Sequence, residues 1–314
     1  MRVTEEFVAV CVPATSANLG PGFDSLGLAL NLWDEVAVHA TSGVHTSVTV
    51  EGEGAGNVAT GEDNLVVQAM RLALDRAGAP QIGVKMRCTN RIPHSRGMGS
   101  SASAIVAGIL LARALIGRED VLTDEEVLMI GTELEGHPDN VAPAIAGGAT
   151  IAWVDNGRPG AVSLSVPHTI APVVFIPDFE LATEKARSAL PQVVAHTDAR
   201  FNVARAALLS ALLSGQARSV GQASFHDLLM DATADVLHQE YRREAMEPSL
   251  ALVDWLRNAG IAATVSGAGP TVLAMETVSD EICADARSAG WKVMALDVPS
   301  KGAAITRGRL AKLY

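Results

Sequence analysis

The residues best suited to do chemistry lie in the stretch Pro93-His94-Ser95-Arg96-Gly97-Met98-Gly99-Ser100-Ser101-Ala102-Ser103, where two glycines and a run of hydroxyls directly precede a long apolar segment. Such a turn can cradle a phosphate. Glycines let the backbone approach a ligand closely, and the first turn of a following helix presents unpaired N–H groups and a positive dipole end. The same residues could also do no more than cap a helix. The cradle is not a P-loop, because Gly-x-x-x-x-Gly-Lys-Ser/Thr is absent and no lysine stands inside it. A second cluster, Glu135-Gly136-His137-Pro138-Asp139-Asn140, offers a carboxylate, an imidazole and an amide within six residues. His137 and Asp139 could belong to a hydrolytic triad, but no Ser or Cys stands beside them in a nucleophile elbow, so hydrolysis is the weaker reading. Taken alone, Glu135 reads as a solvated residue where Gly136 ends a helix.

These residues need elements to position them. Phe7 to Val12, Val36 to His39 and Thr46 to Val50 read as strands, so the chain opens with β-sheet. Apolar residues at helical spacing from Asn64 to Ala77 predict a helix ended by Gly78 and Pro80, and Ile82 to Cys88 alternates as a strand. The run from about Ala102 to Ile116 is apolar on nearly all faces and predicts a buried helix behind the cradle. Thr123 and Glu126 form a capping box for a helix running towards Leu134. Ala149 to Val154 and Val162 to Val166 read as strands about the Asn156–Gly160 turn, and a domain boundary is expected near Pro167. The second half mixes strands at Val173 to Ile176, Ala262 to Val265, Thr271 to Met275 and Val293 to Asp297 with helices around Ala182 to Leu190, Phe201 to Ser214, Leu250 to Asn258 and Asp280 to Ala289. Without strict β-α-β alternation, the expected class is α+β, in two units spanning 1–166 and 167–314.

Composition narrows the function. The chain has 314 residues, 48% of them apolar, enough for two ordinary domains with a buried core. A formal charge of −11, no Lys/Arg run and few aromatic residues oppose a nucleic-acid role. The uncharged stretch from Ala102 to Ala112 falls short of the roughly 20 residues a membrane span needs, so no membrane role is expected. The N-terminus carries acids early, unlike a secretory signal, and a cytoplasmic location is expected. Cys11, Cys88 and Cys283 have no metal-type or disulfide-framework spacing.

The pattern Pro-x-x-x-Gly-x-Gly-Ser-Ser-Ala resembles the phosphate-binding signature of the GHMP kinases, small-molecule kinases for galactose, homoserine, mevalonate and phosphomevalonate. Met98 stands where that family usually has Leu. Val12-Pro13-Ala14-Thr15-Ser16-Ala17-Asn18-Leu19-Gly20-Pro21-Gly22-Phe23-Asp24 is similar to the opening motif of the homoserine kinases, and Val265-Ser266-Gly267-Ala268-Gly269-Pro270-Thr271 to the family's C-terminal glycine loop. The basic Pro-Gly-Glu-type opening of mevalonate and galactose kinases is missing.

The resemblance implies a two-domain GHMP kinase fold, with an N-terminal ribosomal-protein-S5-like domain and a C-terminal ferredoxin-like α+β domain. It further implies ATP and Mg²⁺ as cofactors, L-homoserine as substrate, and a homodimer. Nucleotide binding falls to Pro93, Arg96, Gly97, Met98, Gly99, Ser100, Ser101, Ala102 and Ser103, with Gly267, Gly269 and, at the adenine edge, Asn64, a residue that a helix N-cap would equally explain. Glu135 with Ser100 or Ser101 would hold the metal, and Asn140 would orient the substrate hydroxyl. A zwitterionic amino acid needs a carboxylate for its ammonium and guanidinium for its carboxylate. Asn18 and Asp24 would supply the first, Arg187 and Arg242 the second, with His137 and Thr183 beside them. The family's homoserine branch uses no general base, which suits a loose phosphoryl-transfer transition state. A sister GHMP kinase, or a catalytically silent GHMP-fold binding protein, are the rival readings.

Overall fold

The computed structural model describes residues 2–118 and 120–307, so residues 308–314 of the second expected unit lie outside it. The first run of elements is β1 (Phe7–Ala17), β2 (Leu26–Thr41), β3 (Thr46–Gly52), α1 (Leu65–Arg76), β4 (Gly83–Asn90), α2 (Ser100–Ile116), α3 (Asp124–Glu135), α4 (Val141–Ala146), β5 (Ala149–Asp155) and β6 (Arg158–Leu164). The second is β7 (Val173–Ile176), α5 (Thr183–Ser188), α6 (His196–Leu213), α7 (Phe225–Ala232), a 3-10 turn (Glu240–Ala245), α8 (Glu247–Asn258), β8 (Ala263–Val265), β9 (Val272–Ala274), α9 (Asp280–Ser288), β10 (Lys292–Ala295) and β11 (Ala304–Arg307).

Two sheets result. The larger runs β11-β1-β2-β4-β3, with β5 on the far part of β2 and β6 beyond it; the smaller runs β10-β7-β9-β8. All ladders are antiparallel except β3 with β4. The segment after Pro167 therefore contributes to both sheets, since β11 pairs with Val8–Cys11 of β1. Among the described residues no helix is long and apolar enough to cross a membrane.

Helix α2 organises the first unit. Every residue from Ile105 to Ile116 is buried, as its all-round apolar sequence requires, and it packs between α1 and β1. Arg113 reaches out of this core to Asp124 at 2.8 Å. The Thr123–Glu126 capping box is present in both directions. Strand β2 is far longer than the Val36–His39 core of the sequence reading. Leu26–Leu30 is buried continuously rather than alternately, so it lacks the period that marks a half-exposed strand. A register shift between Pro13 and Ala14 bends the β1–β2 ladder at this point.

Candidate active site

Three loops from distant parts of the chain are stitched around the start of α2. Gly97 and Gly99 sit at φ 71 and φ 71, in the left-handed region, and Gly99 is the N-cap of α2 without any side-chain cap. A Cβ at Gly97 would run into the Ser266 carbonyl, and one at Gly99 into Thr15 Oγ1. Both glycines are therefore demanded by backbone conformation and by neighbouring protein atoms. Thr15 N donates to Met98 O at 3.1 Å, Gly267 N to Ala17 O at 3.0 Å, and Ser266 Oγ lies 2.6 Å from Gly97 O. With no residue capping them, the first amides of α2 stay free to face a ligand.

Against this turn lies a cavity of about 140 Å³ whose lining includes Asn18, Asp24, Gly97, Gly99, Ser100, Ser101, Glu135, His137, Asn140, Thr183, Arg187, Arg242 and Gly267. A second cavity of about 330 Å³, walled by Val36, Val50, Val58, Val66, Ala104 and Ala107, also carries Asp34, Asn64 and Ser103. The two meet at Ser95, Ser100 and Ser101, so an apolar chamber and a charged one share the glycine-serine turn as their common wall.

The charged chamber has two poles. Asp24 takes both Arg187 nitrogens, at 2.6 and 3.1 Å, and Arg242 stands behind them with 1% of its surface exposed. Both guanidinium groups lie over the Phe23 ring, 5.8 Å from its centroid for Arg187 and 5.6 Å for Arg242. Burial and repulsion from Arg187 push Arg242 down to about 10, leaving it a cation at neutral pH. For Arg187 burial acts downward too, but the hydrogen bond and charge of Asp24 outweigh it and the net shift is upward. The loop bearing Asp24 is strained: Asn18, Leu19 and Asp24 sit at φ 67, 50 and 54. It is held by Asn18, whose Oδ1 accepts from Asp24 N at 2.9 Å and whose Nδ2 donates to Gly267 O at 2.8 Å.

Opposite the poles, Ser101 Oγ donates to Glu135 Oε2 at 2.7 Å. Burial raises the Glu135 carboxyl above its ordinary range, against the Ser101 hydrogen bond and the nearby His137. His137 pairs with buried Asp139 at 2.7 Å; burial lowers its pKa, but that hydrogen bond and the charges of Asp139 and Glu135 prevail and raise it. Asn140 Oδ1 accepts from Thr15 Oγ1 at 2.8 Å, which leaves its amide N–H groups for the cavity.

Not every residue expected to bind nucleotide reaches a cavity wall. Pro93, Arg96, Met98, Ala102 and Gly269 line neither chamber. Arg96 instead donates to the carbonyls of Pro177, Asp178 and His94 and lies 3.3 Å from Glu180, clamping the turn to the loop before α5. Met98 is buried in the core beneath the turn. Asn64 lines the apolar chamber, yet its Oδ1 caps α1 at Val66 N and its Nδ2 donates to Ala59 O. Sequence reasoning passed over Phe23, Thr15, Asp34 and His238. Phe23 adjoins a chosen aspartate, and His238 stands four residues before a chosen arginine, a spacing that could have singled it out.

Residues 64–148 match the GHMP kinases N terminal domain and residues 208–290 the GHMP kinases C terminal domain. The chain is 47% identical over 304 residues to the homoserine kinase of Streptomyces avermitilis, covering 95% of each. It is 46% identical over 302 residues to that of Streptomyces coelicolor, covering 95% of this chain and 94% of the relative. The chain belongs to the homoserine kinases of the GHMP kinase family. Its fold agrees with the crystal structure of homoserine kinase from Cytophaga hutchinsonii, at a TM-score of 0.80 and 25% identity over 96% of this chain and 98% of that one. The two-domain α+β GHMP architecture expected from the motifs is thus the one observed.

Proposed function

We propose that the chain transfers the terminal phosphoryl group of ATP to the hydroxyl of L-homoserine, giving O-phospho-L-homoserine and ADP. The observation that carries this reading is the charged cavity against the uncapped turn of α2: the Asp24–Arg187 ion pair and Arg242 line a space of about 140 Å³ beside the Gly97–Ser101 turn. A zwitterion can enter the Asp24–Arg187 pair without leaving a charge bare. Its ammonium takes the place of Arg187 at Asp24, and its carboxylate takes the place of Asp24 at the arginines. The side-chain hydroxyl then lies towards Asn140, whose free amide fixes the direction of its lone pair. The terminal phosphate rests on the Gly99–Ser101 amides, while the nucleoside takes the apolar chamber. No side chain is assigned as general base, because a loose phosphoryl transition state needs no early loss of the hydroxyl proton.

Glu135 and Ser101, with Ser100 adjacent, form a hard-oxygen pair of the kind Mg²⁺ accepts, and the described residues contain no cluster of three or more His, Cys, Asp or Glu that would hold a metal unaided. In this proposal phosphate oxygens and water would complete the coordination of the ion. When bound, it would neutralise charge on the phosphates. The proposal carries a homodimer, to be checked by sedimentation at assay concentration, and a cytoplasmic setting.

A coupled ADP-release assay over homoserine, mevalonate, galactose and shikimate tests the substrate. Turnover concentrated on homoserine is expected. Silence with homoserine beside brisk turnover of another alcohol rejects the reading.

A further inference from the structure

Behind the charged wall of the 140 Å³ cavity runs a buried polar chain, Asp235, His238 and Arg242. Asp235 has no exposed side-chain surface and accepts from the backbone N–H groups of Leu237, His238 and Gln239 at 3.0, 3.1 and 2.8 Å, and from Asn202 Nδ2 at 2.9 Å. It thereby fixes the turn from which His238 and Arg242 project. His238 is 0% exposed, and its two ring nitrogens meet partners of opposite kind. Nε2 lies 2.7 Å from the Gly20 carbonyl, which can only accept; Nδ1 lies 3.1 Å from Arg242 Nη1, which can only donate. The neighbours dictate one neutral tautomer, with the proton on Nε2. Asp235 Oδ2, 3.7 Å from Nε2, is a second acceptor on that side.

Arg242 needs such a partner. Its Nη1 donates to His238 and, at 3.3 Å, to Gly267 O, while its buried Nε has no partner. A long side chain held at one nitrogen keeps rotational freedom unless that contact is directional. His238 also stacks on Phe23, 5.2 Å between centroids, on the loop that ends at Asp24.

We propose that His238 is a positioning residue: its unprotonated Nδ1 aims the Arg242 guanidinium at the substrate carboxylate, and its Nε2–H ties that arginine to the Gly20–Asp24 loop that binds the ammonium. His238 thus sets the separation of the two poles without touching the substrate. Burial, helped by the charge of Arg242, lowers the pKa of His238 against the opposing pull of Asp235, the Gly20 carbonyl and Asp24, so the neutral ring persists at physiological pH. The inference rests on the reading of Arg242 as a carboxylate-binding residue.

Two measurements test it. In the wild-type enzyme, ¹⁵N spectroscopy of the imidazoles should show His238 as the Nε2–H tautomer at pH 7; an Nδ1–H tautomer or an imidazolium overturns the proposal. In steady-state kinetics, His238→Gln keeps a donor for Gly20 but places no acceptor at the Nδ1 position. It should raise the homoserine KM about tenfold, with kcat and the ATP KM little changed. His238→Asn, whose Oδ1 falls near the Nδ1 position, keeps the acceptor for Arg242 but loses the donor to Gly20, and should recover part of that loss. Equal effects of the two variants, or an ATP KM that rises in step, mark the histidine as packing alone and overturn the proposal. Arg242→Ala separates the layers. An unchanged homoserine KM sinks the assignment of Arg242 itself, whereas a raised one beside an unaffected His238→Gln sinks only the role of His238.

Discussion

Asp24 and Arg187 satisfy one another in the free protein and are replaced by the matching poles of an amino acid in the proposed complex, so each charge has a partner in both states. Glu135 differs, because its partner is a hydroxyl and its burial opposes ionisation. A half-buried carboxylate kept against that cost points to a ligand that compensates it. Glu135→Ala should therefore lower kcat on the order of a hundredfold or more while the fold survives, read by steady-state kinetics beside thermal unfolding. Asp34 gives a pH prediction. Burial, against hydrogen bonds from Arg91 N and Ile92 N, raises its pKa above 3.8. The stability tied to this shift is present in full below the unfolded pKa and is lost as pH rises through the folded one. Asp34→Asn, which keeps the accepting oxygen, should raise Tm at pH 7, with the gain shrinking towards pH 4. A Tm difference that is constant across this range contradicts the burial argument.

At the level of elements, the turn before α2 joins the glycine loops of β1 and β8–β9. Gly99→Ala places a Cβ against Thr15 at φ 71, a conformation that costs a non-glycine residue roughly 1–2 kcal/mol. The expected outcome is a lower Tm together with a raised ATP KM, measured in the same preparation. Elements with strong local signals were legible in the sequence: α1 behind its Asn64 cap, α3 behind its capping box, and α2 from unbroken apolarity. The sequence marks only the Val36–His39 part of β2, because Leu26–Leu30 is buried without alternation. Helix α4 was missed because it is short and contains Pro143, and β11 because four residues carry no period of their own. Among site residues, Asp24, Glu135, Arg187 and Arg242 converge on one cavity. Arg96 and Met98 lie inside the motif but face protein rather than the cavity; motif membership does not tell which way a side chain points. His238 has one local signal, its place four residues before Arg242; the Gly20 carbonyl it meets lies 218 positions away.

At the scale of the molecule, the chain closes on itself. Strand β11 returns from the second unit to cover the edge of β1, and Ala303 N donates to Ala144 O at 2.7 Å beside α4. The second unit is thereby tied to the sheet whose far end supplies Asn18 and Asp24. A chain truncated before Ala304 exposes the Val8–Cys11 edge and should show a lower Tm and self-association in size-exclusion chromatography. An unchanged monodisperse profile and Tm would show that this closure contributes little. In the proposed complex a nucleotide lies with its terminal phosphate against the Gly99–Ser101 amides, aimed at an amino acid bound between Asp24 and the two arginines. A crystal structure with a non-hydrolysable ATP analogue, Mg²⁺ and L-homoserine tests this most directly. The predicted result places the γ-phosphate on that turn and the zwitterion in the 140 Å³ cavity; a turn left empty, with the ligands bound elsewhere, contradicts it.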